Sequence, residues 1–193
     1  MKKVLLPMIL ILLTFVLFGC SKSHIDMSYL KTPSSIDLIN NKNDEINSIK
    51  KELKKLDESG NKNEELKNKL LRDFGTSIDK LTVKINDEEF ITKIINKIKS
   101  SPGSAITDST KYESNNAIYN LHLNYSDIEI TEDNIEDLVK EGYVFSIWIF
   151  EDGKAVTAKY DLNAPNKMST VGIVLDNETL NYIKEYYNSN ILK

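Results

Sequence analysis

Residues 81–85 read Leu-Thr-Val-Lys-Ile, an alternation that sets Leu81, Val83 and Ile85 on one face of a strand. The period then lengthens. Phe90, Ile91, Ile94, Ile95 and Ile98 recur at helical spacing and predict an amphipathic helix. Asn86 stands as its cap with Glu89 three residues on, and Asp87 and Glu88 lie at the positive end of the helix dipole. Ser-Ser-Pro-Gly at 100–103 stops it, and a polar loop fills 104–116. Alternation returns at 117–125. Ala117, Tyr119, Leu121, Leu123 and Tyr125 share one side; Ile118, Asn120, His122 and Asn124 share the other. The next helix has Thr131 as its cap, Ile130 and Ile135 as a hydrophobic staple, and Lys140 and Gly142 at its close. Two β-rich runs then flank Asp152-Gly153, a hairpin signature; the first is apolar on both faces, which predicts a central strand with Trp148 in the core. Residues 168–175 form a further strand in which Gly172 marks a bulge. A last helix, capped by Asp176 or Asn177, turns Leu180, Ile183 and Tyr187 inward, with Tyr182 and Tyr186 to the side.

The chain upstream reads differently. Ile46, Ile49, Leu53 and Leu56 make one apolar stripe among Lys, Glu and Asp, and residues 58–61 break it. A second short helix, about Asn63 to Arg72, carries Leu66, Leu70 and Leu71. The stripe is too short for a long coiled coil. Residues 36–72 are thus a charged helical segment: a stalk or hairpin lying on the domain, or a helix that binds a partner or a second copy. Residues 20–35, with Pro33 and several serines, predict a flexible tether. The fold expected for 76–193 is α+β, an antiparallel-rich sheet with helices on one face, preceded by the helical stalk or hairpin.

The first twenty residues have their own logic. Lys2 and Lys3 precede Val4–Phe18, fifteen uncharged residues that as a helix extend roughly 22 Å, short of the ~30 Å hydrocarbon core. A positive start, a short apolar middle and a small residue at the end describe an export signal at 1–19. The run ends Leu17-Phe18-Gly19-Cys20, and Cys20 is the only cysteine. This pattern resembles the lipobox of bacterial lipoproteins. The resemblance implies cleavage between Gly19 and Cys20, a diacylglycerol on the Cys20 thiol, and a protein lipid-anchored on the extracytoplasmic side of the cell membrane. The richness in Ile, Lys and Asn is similar to that of lipoproteins from low-GC Gram-positive bacteria. Two acyl chains anchor stably where one does not. With Cys20 lipidated, the fold rests on its own core without a disulfide.

Charge narrows the partners. Losing Lys2 and Lys3 with the leader takes the formal net charge from −4 to −6, and leaves 174 of 193 residues. An acidic chain argues against nucleic acid. Arg72 is the only arginine, which argues against bidentate phosphate or carboxylate recognition. The chain carries no nucleophile elbow, zinc-protease helix, phosphate loop or cysteine pair. His24 falls in the tether and His122 on the polar strand face, so histidines alone make no metal site. Asp127, Glu129, Glu132, Asp133, Glu136 and Asp137 lack the ligand alternation and turn glycine of a calcium loop, and helix-start acids account for Glu132 and Asp133. No cofactor, metal or catalytic residue is expected. The reading is a non-enzymatic, membrane-anchored module for a protein or envelope ligand. Its rivals are an immunity or inhibitor lipoprotein against a secreted toxin or protease, and a small envelope hydrolase built around His122.

Overall fold

The computed structural model describes residues 25–58, 63–106, 111–131, 133–160 and 168–191. The fold is α+β. Seven strands form one antiparallel sheet in the order β2-β1-β4-β5-β6-β7-β3. They are β1 (Ser35–Asn40), β2 (Thr82–Ile85), β3 (Gly103–Ala105), β4 (Tyr119–Asn124), β5 (Ser146–Ile149), β6 (Lys154–Tyr160) and β7 (Met168–Val174). Five helices accompany them: α1 (Asp44–Glu58), α2 (Glu64–Lys80), α3 (Glu88–Ser100), α4 (Ile135–Lys140) and α5 (Asn177–Asn190).

The main core lies between the sheet and the pair α3 and α5. Ile36, Leu38, Leu121, Ile147, Ala155 and Ile173 point inward from the sheet, and Phe90, Ile94, Ile98, Ile183 and Tyr187 meet them from the helices. The Phe90 ring stacks on Tyr182 at 5.1 Å and meets Tyr186, tilted, at 4.1 Å, so one side chain joins the two helices. All five apolar positions predicted for α3 are buried. Its cap is Asp87 rather than Asn86: the Asp87 carboxylate accepts from the backbone N–H of Glu89 and of Phe90. α5 is capped by Asp176, which accepts from Thr179 N–H.

The upstream expectation is corrected in two places. Residues 25–34 are not a tether where the structure describes them. Ile25 exchanges backbone hydrogen bonds with Gly103 at the β3 edge, and Met27 and Leu30 are buried in the main core. Nor is 36–72 wholly helical, because residues 35–40 form β1, a strand inside the sheet. Ile36 and Leu38 face the core and Asp37 faces away, a period of two over too few residues to stand out beside the long charged helices. β1 pairs with β2, so α1 and α2 are an insertion in the connection between neighbouring strands. They are a helical hairpin, not a stalk ahead of the domain. α2 also runs on to Lys80, past Arg72. Leu70, Phe74, Ser77 and Ile78 continue its inner face, and Gly75 interrupts it on the exposed side at a cost of about 1 kcal/mol.

Two smaller expectations also change. Gly172 is not at a bulge: the pairs Val156–Gly172 and Ser104–Gly172 continue the ladders without a break. It is glycine because Ile106 packs over it, and a Cβ there would stand 2.5 Å from the Ile106 Cδ1. The helix expected from Thr131 starts only at Ile135. The Asn134 side chain accepts from Thr131 N–H and donates to the Glu129 carbonyl, so it bonds back to the residues before it. Ile130 and Ile135 are left exposed and make no staple.

Candidate functional site

β5 and β6 pair through only Trp148–Val156 and Ile149–Ala155 beyond their hairpin. Past those pairs a side chain takes over from the ladder. The buried Thr157 hydroxyl donates to the Ser146 carbonyl at 2.9 Å. α4 packs beside β6 at this point and buries Leu138 and Val139. Between α4 and the parted strands lies a groove of about 230 Å³, lined by Ile135, Val139, Tyr143, Phe145 and Trp148, with Glu136 and Ser146 at its margins.

The groove is held by a rigid aromatic wall. Tyr125 meets Tyr143 edge-on at 4.9 Å and Phe145 at 6.1 Å. Its hydroxyl donates to the Val144 carbonyl and accepts from Val144 N–H. Burial pushes the Tyr125 phenol up to about 12, so it stays protonated in these bonds at any physiological pH. The Tyr143 hydroxyl donates to the Asp127 carboxylate. α4 closes in a Schellman arrangement, with Tyr143 N–H on the Leu138 carbonyl, Gly142 N–H on the Val139 carbonyl, and Gly142 at φ +100°. Lys140 and Gly142 end the helix as the sequence predicts.

The rim is acidic. Residues 127–141 hold seven acids and one lysine, a net −6, against −4 for the whole chain. The rest of the chain carries a net +2. Asp127, Glu129, Asp133, Glu136, Asp137 and Glu141 are all exposed. Asp137 pairs with Lys140 at 3.0 Å. Among the described residues no three His, Cys, Asp or Glu side chains converge to hold a metal ion.

His122 lies on the open sheet face, as predicted, and is exposed. Its neighbours are more suggestive than sequence shows. Asp37, His122 and Ser146 stand in register across β1, β4 and β5. The ring Nδ1 is 3.2 Å from Ser146 Oγ, and Nε2 is 3.0 Å from the Asn120 amide nitrogen. Asp37 does not complete a relay; its carboxylate accepts from the Asn124 amide at 3.2 Å. A serine nucleophile needs an imidazole that accepts its proton and a carboxylate on the opposite ring nitrogen. Here the opposite ring nitrogen, Nε2, faces the Asn120 amide rather than a carboxylate. The expected outcome is that a fluorophosphonate probe leaves Ser146 unlabelled, read by intact mass; labelling lost in His122→Gln would show an activated serine and favour the hydrolase reading.

Trp148 is half-buried and lines the groove, where the sequence suggests a core residue. It touches a second, smaller cluster of Ala117, Phe150 and Val156 on the open face. That cluster borders the β5–β6 turn, where Asp152 receives the Lys111 ammonium at 2.9 Å and the Tyr112 hydroxyl at 2.8 Å. Partial burial pushes the Asp152 carboxyl up, but these donors and Lys154 N–H outweigh it and hold it at about 2. Gly19, Cys20 and His24 lie outside the described residues. No helix among the described residues is long and apolar enough to cross a membrane. Comparison of the chain with protein-family models, with curated proteins and with solved structures finds no match.

Proposed function

We propose that this protein is a lipid-anchored extracytoplasmic binding module, held to the cell membrane by a diacylglycerol on Cys20 after cleavage behind Gly19. It engages a protein or envelope ligand through the groove between α4 and β5. The observation that carries the reading is that groove, a concave apolar surface with convergent polar groups, which is the usual form of a recognition site. One of its walls, Ile135, is 42 % exposed, so part of the apolar surface is open to a ligand. The acidic 127–141 segment also favours the narrower reading of an immunity or inhibitor lipoprotein, complementary to a basic toxin or protease.

The anchor would sit close to the folded body. From Cys20 to Ile25 the chain reaches at most about 18 Å. Ile25 pairs at the β3 edge of the sheet, while the α1–α2 hairpin leaves from β1 and β2 at the opposite edge. A bilayer-tethered molecule of this shape holds its edge near the lipid and leaves the hairpin free.

The test is metabolic labelling with a lipid precursor, followed by membrane fractionation and a crosslinked pull-down. The wild type is expected in the membrane fraction, labelled, with at least one specific partner. Cys20→Ala is expected to lose the label and that partner together. Unlabelled wild type that still sediments with membranes would instead mark an uncleaved N-terminal anchor.

A further inference from the structure

We propose that the groove takes a cationic amphipathic peptide segment, seating one large apolar side chain between α4 and β5 and matching its basic residues to the acids of the 127–141 segment. The inference rests on the binding-module reading and names its ligand class.

Shape and charge argue for it independently. The groove volume of about 230 Å³ suits one bulky side chain rather than a folded surface. Its walls, Ile135, Val139, Tyr143, Phe145 and Trp148, offer an apolar and aromatic bed, the composition found where single anchor residues dominate binding. The margins then select by sign. Glu136 lines the groove and Asp127 accepts from the hydroxyl of its Tyr143 wall; both belong to a segment, 127–141, whose sequence holds −6 over fifteen residues, while the remainder of the chain after its leader carries no net charge. This field attracts a basic chain locally and repels an acidic one. An acyl chain would fit the walls but would make no use of the acids. An anionic lipid headgroup would meet them unfavourably. The polar residues serve a peptide as well: Ser146 and Glu136 are among those lining the groove.

The structure supplies its own reporter, because Trp148 is the only tryptophan in the chain and it lines the groove. The experiment titrates the full mature chain, in detergent or nanodiscs, with tryptophan-free peptides and follows Trp148 emission. A Leu/Lys amphipathic peptide is expected to shift the emission and to weaken as salt rises. The same pattern in Leu and Glu, and a Lys/Ser peptide without apolar residues, are expected to bind at least about tenfold more weakly. Asp133→Asn with Glu136→Gln, both at exposed positions, should weaken the Leu/Lys peptide and flatten its salt dependence. Ile135→Ser, also exposed, should weaken it without altering that dependence. Equal binding of the Leu/Glu peptide overturns the charge match. A shift with fatty acid or zwitterionic vesicles alone makes the occupant a lipid and overturns the proposal, as does no shift with any probe. If these peptides fail while a partner recovered from cells still depends on Ile135, the ligand class is wrong and the binding module stands.

Discussion

Phe90→Ala is expected to unfold the protein's main layer most severely, lowering stability by about 3–5 kcal/mol in urea denaturation. Phe90 has no exposed surface and is among the largest fully buried side chains. Its ring contacts Tyr182 and Tyr186 on α5 while its own helix α3 presents Ile91, Ile94, Ile95 and Ile98 to the sheet. Truncation therefore removes an aromatic contact between two helices and opens a cavity over the strands. Tyr182 also lies under the Lys93 ammonium, 3.9 Å from the ring centre, a contact that depends on the ring staying in place. Leu66→Ser on the hairpin is the control. Leu66 is 39 % exposed, and its loss should cost less than about 0.5 kcal/mol. A Phe90→Ala loss below about 1.5 kcal/mol would mean that α5 does not close the core as described.

Gly142→Val is expected to cost about 3 kcal/mol or more and to disturb the groove as well as the fold. Two faults combine. Its φ of +100° is a conformation a β-branched residue avoids, and a Cβ would collide with the Tyr29 carbonyl oxygen. The same residue accepts Lys31 N–H through its carbonyl, so strain here reaches the segment that carries Met27 and Leu30 into the core. The measurement is thermal unfolding together with Trp148 emission. The account predicts a lower midpoint and a native emission maximum shifted to the red. A variant with wild-type stability would show that the α4 closure and the N-terminal segment are not coupled.

Much of the fold was legible because its elements are locally consistent. α3, β4 and the β5–β6 hairpin each combine a clear period with matching caps or turn residues, and all three form where the pattern places them. β1 was hidden for a physical reason. Its one turn of alternation, Ile36-Asp37-Leu38, is stabilised by β2 and β4 on either side rather than by anything local. β3 is shorter still, three residues that pair only because β7 offers an edge. The α4 start was misplaced because Thr131 looks like a cap in sequence, while in the fold the Asn134 side chain bonds backward to Thr131 and Glu129 and makes no cap bond to the helix. The site was the least legible part. The acidic residues were visible in sequence, but the groove arises where β5 and β6 part and α4 fills the gap. That depends on the Thr157 hydroxyl reaching the Ser146 carbonyl, which no period or motif encodes. Trp148 read as core because a half-buried wall and a core position share the same residue type.

The most direct test of the groove as the recognition surface is site-specific photo-crosslinking in intact cells. A photoreactive residue is placed at Ile135, at Leu66 on the hairpin, or at Lys84 on the β2 edge, each in the full chain with Cys20 intact. The account predicts one discrete adduct from Ile135, absent from the other two positions and lost when Cys20→Ala is added. Adducts from Leu66 with none from Ile135 would move recognition to the α1–α2 hairpin and contradict the site described above.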